Sequence, residues 1–333
     1  MNRYHTYQDV NSTQFLRTVV GIGNFDGVHL GHQALISAVT TEAKRRDLTP
    51  SVLTFDPHPL RFFMGDQGPA QIYSSKDRVD VLADLGIETI LTQDFTLEFA
   101  QLSPRAFVEE VIVKSLRAAL VVVGYDFAFG ARRAGTITDL NELGAEFGFE
   151  VKVIDAQMTR SDEQMRAYSS TWIRELISEG EVAYASLALG RAFHLRALVV
   201  KGLQRGRSLG FPTANLALLA ELCPKPGVYS GWLDWGEGPN ESVISVGLNP
   251  TFSDAYIPQS SQRWSVEVHV LNRESDELSL YDRSVCLWFA DRLRDMRRFT
   301  SAEELVIQIS LDCKEALANL KGRAKPMNRS IVL

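Results

Sequence analysis

The sequence predicts an α/β protein in which a doubly wound parallel sheet is followed by a small antiparallel β-barrel with a terminal helix. Up to about residue 180, short apolar runs alternate with helical patterns, which is typical of a parallel sheet. From about residue 190, runs with period-two alternation lie between turn residues, which indicates an antiparallel barrel. A chain of 333 residues favours two domains. We place them at residues 1–186 and 187–333.

The composition is that of an ordinary globular protein, with 45% hydrophobic and 23% charged residues. A net charge of -6 argues against a surface that coats nucleic acid. Cys223, Cys286 and Cys313 are scattered without C-x-x-C spacing, which fits a reducing compartment. The first residues have no signal-peptide core, and no apolar run has the length of a membrane span. We expect a cytoplasmic protein with no nucleic-acid or membrane partner.

The first half contains five strand candidates, at residues 19–22, 52–55, 89–92, 120–123 and 151–154. Helix signals separate them: a helix after Ser75 closed by Gly86, an N-cap at Ser103 followed by Pro104, and a stop at Gly148. Ligands of doubly wound sheets bind beyond the carboxyl ends of the strands. The turns after residues 22, 55 and 123 are therefore the candidates for chemistry.

Residues 19–32 read VVGIGNFDGVHLGH: an apolar run, a glycine-rich turn and the start of an amphipathic helix. The spacing places His29 and His32 one turn apart at the N-terminal end of that helix. Backbone N–H groups and the helix dipole make this end an anion site, and Gly31 leaves room for a nucleotide. A metal is the alternative, but no third ligand lies at ligand spacing nearby. The segment therefore predicts phosphate handling.

Two other strand ends carry polar and aromatic residues. The turn TFDPHP holds Asp56 and His58 between prolines, either for function or as a rigid loop. The turn GYDFAFG carries Asp126, Phe127 and Phe129. Its aromatic rings either form a slot for a flat ligand or pack in the core, and the sequence leaves both interpretations open.

A second anion element is predicted at the start of a helix that ends at Gly180. Ser169, Ser170 and Thr171 can cap the helix, and together with Arg174 they can also hold a phosphate. H-x-G-H after a first strand, with S-S-T-x-x-R downstream, resembles the paired signature of the nucleotidyltransferase superfamily.

In the second half, strands are predicted at residues 198–200, 228–233, 243–246, 264–271 and 284–289. A capping box, S-A-E-E, opens a final helix that runs from Ser301 to about Leu320. The barrel should also contain an extended segment after a glycine-rich, basic stretch, KGLQRGRSLGFPTAN, at residues 201–215.

This stretch has the residue types of a phosphate site. Glycines let backbone N–H groups face phosphate oxygens, and basic side chains add charge; the residues concerned are Lys201, Gly206, Arg207 and Gly210. Thr213 and Asn215 point the same way and offer two neutral oxygens, which suit Mg²⁺ already bound to ATP. A basic surface turn before an ordinary strand is the alternative. On strand 264–271, Glu267 lies on the polar face, either as a general base or simply facing water.

Nine segments carry a family resemblance over roughly residues 19–316: GNFDGVHLGH, TFDPHP, VGYDFAFG, SSTWIR, GRSLGFPTANL, KPGVYSG, SVGLNPTF, VEVHVL and LRDMRRFTSAEEL. In this order they resemble the prokaryotic bifunctional riboflavin kinase/FMN adenylyltransferases, or FAD synthetases. The resemblance implies a nucleotidyltransferase domain that adenylylates FMN to FAD with release of pyrophosphate. It also implies a riboflavin kinase-like barrel that phosphorylates riboflavin to FMN. Riboflavin, FMN and ATP would be the small-molecule partners, with Mg²⁺ as cofactor and flavins as substrate and product.

The resemblance also implies roles for residues. Glu267 would be the kinase's general base, and Thr213 and Asn215 would coordinate Mg²⁺. The remaining expected site residues are, for catalysis of adenylyl transfer, His29, His32 and Arg174; for ATP and phosphate, Gly23, Asn24, Gly31, Ser169, Ser170, Thr171, Lys201, Gly206, Arg207 and Gly210; and for the flavin, Asp56, Asp126, Phe127 and Phe129.

The chain departs from the family pattern at several positions. Ala128 and Trp172 stand where the pattern has Arg, Thr136 where it has Asp, and Asp282 where it has Gly. Two alternatives follow from these departures: a nucleotidyltransferase for another phosphorylated acceptor, or a non-catalytic flavin- or nucleotide-binding relative. The oligomeric state is left open.

Overall fold

A computed structural model describes residues 1–10, 17–161, 164–202, 209–218, 222–248, 264–272 and 280–326. Its contacts divide the chain into two compact units, Met1–Ser170 and Thr171–Leu333. This division falls at the start of a helix, whereas we place the functional boundary between residues 186 and 187. That boundary stays a prediction.

The first unit is built on a parallel sheet. Its strands are β1 (Asn2–Tyr4), β2 (Thr18–Ile22), β3 (Thr49–Asp56), β4 (Thr89–Asp94), β5 (Ala118–Gly124) and β6 (Glu150–Ile154). They lie in the order β1-β4-β3-β2-β5-β6, and every neighbouring pair is parallel. All five predicted strands are confirmed within a few residues at their ends.

Helices cover both faces of this sheet. They are α1 (Leu30–Arg46), α2 (Pro59–Met64), α3 (Ser75–Asp84), α4 (Leu97–Ala100), α5 (Pro104–Phe107), which continues as the π-helix Val108–Ser115, and α6 (Ile137–Phe147). Ser103 caps α5 and a left-handed Gly148 ends α6, as predicted. The cap of α3 is Ser74, one residue before the expected position.

The strand side chains alternate between two apolar cores. Val20 and Val121 pack with α4, α5, the π-helix and α6, while Val19 and Leu120 pack on the other face with α1 and α3. Burial on both faces makes the strands continuously apolar, which is the pattern that the sequence shows.

Among the elements of this unit that the sequence did not predict are α4 and three others. β1 adds to the sheet beside β4, α2 follows the TFDPHP turn, and an antiparallel hairpin joins β7 (Met158–Ser161) to β8 (Gln164–Ala167). Each of these helices and strands has at most six residues, too few to show the periodicity by which a helix or strand is recognised.

The second unit begins with α7 (Ser170–Glu179), whose first residue belongs to the first unit, and α8 (Val182–Leu189). Its strands are β9 (His194–Val200), β10 (Ala214–Leu218), β11 (Gly227–Asp234), β12 (Asn240–Leu248), β13 (Trp264–Val270) and β14 (Ser284–Arg294). They close a barrel in the order β10-β13-β12-β11-β14-β9, with antiparallel neighbours. The predicted barrel is confirmed.

The terminal helix α9 (Ala302–Leu320) packs on the barrel, and Arg294 of β14 forms an ion pair of 2.7 Å with the buried Asp312. Ser301 caps this helix by accepting a hydrogen bond from the backbone N–H of Glu304. The predicted capping box needs one correction: the Glu304 carboxylate accepts from the N–H of Thr300, one residue earlier. Within the described residues, no helix is long and apolar enough to cross a membrane.

Candidate active sites

The first candidate site lies at the carboxyl edge of the parallel sheet. After β2 the chain adds β3 and β4 on one side of it, then returns to place β5 on the other side of β2. This reversal opens a crevice beyond the ends of β2 and β5, where ligands of such sheets bind. The loops after β2, β3 and β5 all meet this edge.

The loop after β2 holds the histidine pair. His29 is the N-cap of α1, and its Nδ1 accepts a hydrogen bond of 3.3 Å from the N–H of His32. The two rings stack with centroids 3.7 Å apart and planes 19° apart. Because Nδ1 accepts, a neutral His29 carries its proton on Nε2, which makes that nitrogen a donor. The predicted placement of both histidines at a helix N-terminus is confirmed.

The loop backbone is unusual. Val28 has φ 42° and Phe25 has φ 49°, and both side chains are fully buried. Left-handed backbone is rare for non-glycine residues, above all for a β-branched one, and such strain concentrates at functional sites. A Cβ on Gly31 would lie 3.0 Å from the His29 ring, so a larger residue here would press on the histidine side chain. Room for a nucleotide at Gly31 stays a prediction.

Buried polar groups hold this loop from below. The Asp26 carboxylate is 1% exposed and accepts from the N–H groups of Ile72 and Tyr73. Ser170 Oγ donates to the backbone oxygen of Asp26 at 2.8 Å, which brings the first residue of α7 to the H-x-G-H loop. The Asn24 carbonyl accepts from Thr54 Oγ1 at 3.0 Å. Gly23 donates from its N–H to a β3 carbonyl at 3.2 Å.

The other residues of the S-S-T-x-x-R element follow along the chain. Ser169 precedes α7, Thr171 and Arg174 lie on it, and Trp172 between them is buried. These residues share the first turn and a half of one helix. Their joint action on a phosphate stays a prediction.

The loop after β3 begins with Asp56, the last residue of the strand. His58 is buried and caps α2, because its Nδ1 accepts from the N–H of Leu60 at 3.1 Å. Of the two interpretations of this turn, His58 fits the structural one. Asp56 is half-buried at the carboxyl edge of the sheet.

The two aromatic rings of the loop after β5 differ in burial. Phe127 and Phe129 stack at 5.6 Å with planes 14° apart, but Phe129 is only 5% exposed and belongs to the apolar core. Core packing is therefore the interpretation that fits Phe129. Phe127 is half-buried and Asp126 is exposed beside it, so both are accessible to a ligand.

The second candidate site lies on the barrel. Asn215 of β10 pairs directly with Glu267 of β13, and Ser245 of β12 is the partner of Glu267 on its other side. Directly opposite residues share a face of the sheet. The flanking Val266 and Val268 are buried, so Glu267 lies on the other, outer face, as predicted.

Thr213 completes this cluster. Its Oγ1 lies 3.3 Å from Oε2 of Glu267 and donates to it. A carboxylate and a hydroxyl thus meet at the start of β10, and Asn215 lies beside Glu267 in the strand register. Hard oxygen ligands of this kind are those that Mg²⁺ accepts alongside ATP phosphates. In the described ranges, no cluster of three or more His, Cys, Asp or Glu forms a metal site of the protein's own.

The glycine-rich stretch is partly described. Lys201 is exposed after β9, and Gly210 has φ 85° in the turn before Phe211. Gly206 and Arg207 lie outside the described residues. A Cβ on Gly202 would lie 2.2 Å from Nδ2 of Asn215, so the amide side chain packs directly on this glycine.

Two supporting residues were given no role by the sequence reasoning, although the strand alternation places His269 beside Glu267. His269 shares the outer face with Glu267, and its Nδ1 lies 2.8 Å from the carbonyl oxygen of Pro212, next to Thr213. Arg78 of α3 is buried beneath the loops after β2 and β3. The amphipathic spacing of α3 marks position 78 as a core position, and an arginine there was the available signal.

Comparison with known proteins agrees with this geometry. Residues 12–171 match the family model described as FAD synthetase, and residues 189–320 match the one described as riboflavin kinase. The bifunctional riboflavin kinase/FMN adenylyltransferase of Escherichia coli strain K12 is 36% identical over 295 residues, which cover 88% of this chain and 90% of that relative. The chain belongs to the bifunctional riboflavin kinase/FMN adenylyltransferase family.

Other relatives extend the likeness. The family member of Listeria monocytogenes is 34% identical over 305 residues, covering 91% of this chain and 92% of the relative. A crystal structure described as a macrolide-efflux protein from Streptococcus pneumoniae has a TM-score of 0.80 at 29% identity, over 94% of this chain and 97% of that one. Both family domains are present, so the protein is a bifunctional transferase with a riboflavin kinase domain and an FMN adenylyltransferase domain. Neither another acceptor nor a non-catalytic relative is favoured.

Proposed function

We propose that the barrel phosphorylates riboflavin at the Thr213–Asn215–Glu267 cluster, and that the H-x-G-H loop of the first unit adenylylates the resulting FMN. The observation that carries this proposal is the hydrogen bond from the Thr213 hydroxyl to the Glu267 carboxylate, with Asn215 paired to Glu267 on the same face of the barrel. Hydroxyl phosphorylation needs a base beside the metal-bound phosphates, and this cluster supplies the required groups.

In the kinase reaction, Glu267 accepts the proton of the riboflavin 5′-hydroxyl. The hydroxyl oxygen forms a bond to the γ-phosphorus of ATP while the bond from that phosphorus to the β–γ bridging oxygen breaks, so FMN and ADP result. Thr213 and Asn215 would hold Mg²⁺, which neutralises charge on the phosphates when bound. Lys201 and Gly210, with Gly206 and Arg207, would cradle the same phosphates.

Adenylyl transfer needs no such base. A phosphate oxygen of FMN, already an anion, attacks the α-phosphorus of ATP, and pyrophosphate leaves. The task of the protein is to stabilise charge and hold the reactants in line. His29, His32 and the N-terminus of α1 supply donors for this task, and Asn24, Ser170 and Arg174 would complete the phosphate site.

The flavin of FMN would lie at the loops after β3 and β5. Asp56 and Asp126 are at the carboxyl edge with exposed or half-buried carboxylates, and the accessible ring of Phe127 can stack on an isoalloxazine. Phe129 supports Phe127 from the core by ring stacking.

Two variants and two assays test this division. Products are separated by HPLC after incubation with ATP and Mg²⁺ and either riboflavin or FMN. Glu267→Gln should abolish formation of FMN from riboflavin yet form FAD from supplied FMN. His32→Ala should do the reverse, since it removes a donor for the reacting phosphates and leaves the barrel intact. Equal loss of both reactions in either variant would contradict the assignment.

A further inference from the structure

Arg78 is an arginine inside the core of the first unit. It is 1% exposed and is the largest of the fully buried side chains. Burial lowers the pKa of its guanidinium, while the negative charges of Asp26 and Asp56 act in the opposite direction. Charged side chains are almost never fully buried without a specific reason, because desolvation is costly.

The guanidinium joins the loop after β2 to the end of β3, two places that would hold different substrates. Its Nη1 donates to the carbonyl oxygen of Asn24 at 3.3 Å, and its Nη2 donates to the carbonyl oxygen of Phe55 at 2.9 Å. Asn24 lies in the ATP loop after β2, and Phe55 immediately precedes Asp56 at the flavin loop after β3. Ser75, at the start of α3, lies 3.4 Å from the same Nη2.

The carbonyl of Asn24 is held from two directions. It accepts from Thr54 Oγ1 as well as from Arg78, so a strand and a helix both fix the same backbone oxygen. The rigid fork of an arginine reaches both carbonyls at once, whereas a lysine ammonium is a single point on a flexible stem.

We propose that Arg78 is a positioning residue for adenylyl transfer, which sets the distance between the ATP loop and the end of β3, where the flavin loop begins, by bonding the carbonyls of Asn24 and Phe55. This inference rests on the proposed function of those loops. In-line transfer depends on the mutual alignment of two bound substrates, so Arg78 acts on the turnover step more than on the binding of either substrate.

The test is Arg78→Lys, which keeps the positive charge and shortens the reach. We expect kcat for FAD formation from FMN to fall by about 10²-fold, because a misplacement of about 1 Å costs that much. KM for ATP and for FMN should each change by less than about threefold, since separate binding contacts persist. Riboflavin phosphorylation by the same molecules serves as the internal control and should be unchanged.

Arg105→Lys is the matched control. Arg105 is exposed on α5 and pairs with the exposed Glu146, and neither residue is among the proposed site residues. It should retain wild-type kcat in both reactions. Thr54→Val is the second variant, because it removes the other bond to the Asn24 carbonyl with little change in volume. It should lower kcat for adenylyl transfer in the same direction.

Arg78→Lys and Thr54→Val are assayed below the temperature at which their thermal unfolding begins, so that unfolding of part of the sample is not counted as a lower kcat. If folded Arg78→Lys and Thr54→Val both keep kcat within about twofold of wild type, Arg78 has only a structural role and the proposal is overturned. Equal loss of riboflavin phosphorylation would also overturn it. His32→Ala is measured in parallel, because full adenylyl transfer by that variant would reject the proposed loop function independently of Arg78.

Discussion

Gly202→Ala should lower the kcat of the kinase and leave the thermal stability of the protein nearly unchanged. The added Cβ would lie 2.2 Å from Nδ2 and 2.3 Å from Cγ of Asn215. To restore ordinary contact, the amide must recede by roughly 1 Å. Because the atoms that must move are the end of a side chain, the fold adapts cheaply, but the proposed Mg²⁺ ligand is displaced.

The expected loss follows from that displacement. A shift of about 1 Å in a positioned group costs about 10²-fold in kcat, or ~2.7 kcal/mol of transition-state stabilisation. We expect the riboflavin kinase kcat to fall by this factor and the Mg²⁺ concentration for half-maximal rate to rise. FAD formation from supplied FMN should be unchanged in the same preparation, and the thermal unfolding midpoint should move by no more than a few degrees.

A double-mutant cycle with Asn215→Ala identifies the cause. If Gly202→Ala acts through the amide, it adds little to the loss already caused by Asn215→Ala. Wild-type kcat and Mg²⁺ dependence in the single Gly202→Ala variant would refute the reasoning. Additive losses in the cycle would show that Gly202 acts by another route.

Two further predictions follow from the barrel. His269→Asn keeps a side-chain N–H near the position of Nδ1 and should retain most kinase activity, whereas His269→Leu should raise the Mg²⁺ requirement by releasing the carbonyl of Pro212. Equal kinetics of the two variants would show that this hydrogen bond does not position Thr213. Burial raises the pKa of the Cys223 thiol well above its ordinary value, so we expect iodoacetamide at pH 8 to leave Cys223 unmodified in the folded protein and to alkylate it in denaturant, as mass spectrometry would show.

The sequence predicted those parts of the fold that periodic burial encodes. Strands such as β2 and β5 are apolar because both faces are covered, and helix ends such as Ser103 and Gly148 carry their own local signals. The positions of His29 and His32 could be predicted because residues three apart at the start of a helix lie on the same face. β1 could not be predicted, since its pairing with β4 depends on contacts about 87 residues apart and its three residues are exposed or half-buried.

Supporting residues are harder to predict than the residues they support. Arg78 and His269 act through backbone carbonyls of Asn24, Phe55 and Pro212, and any residue type has such a carbonyl. No spacing in the sequence marks a bond of this kind. The burial of Phe129 could not be predicted either, because an aromatic residue in a turn between two glycines has the same sequence pattern whether its ring faces a ligand or the core.

Two of the departures from the family pattern, Thr136 and Asp282, preserve the backbone geometry of their segments. Thr136, in place of Asp, caps α6: its Oγ1 accepts from the N–H of Asp139 at 3.2 Å, and its own N–H donates to the Asp139 carboxylate at 2.7 Å. Threonine and aspartate are both good N-caps, so the helix start is kept. Asp282, in place of Gly, has φ 62°, a conformation that aspartate adopts more readily than most residues.

Ala128 is a departure that removes a positive charge from the loop after β5, and the same loop supplies another. Arg133 follows five residues later with φ 57°, and its Nη2 reaches to 3.5 Å from the carbonyl oxygen of Asp126. A guanidinium therefore stays in the loop after β5, although it comes from a different position of the chain. Since Arg133 provides a positive charge in the same loop, the loss at Ala128 is compatible with the activity of the family.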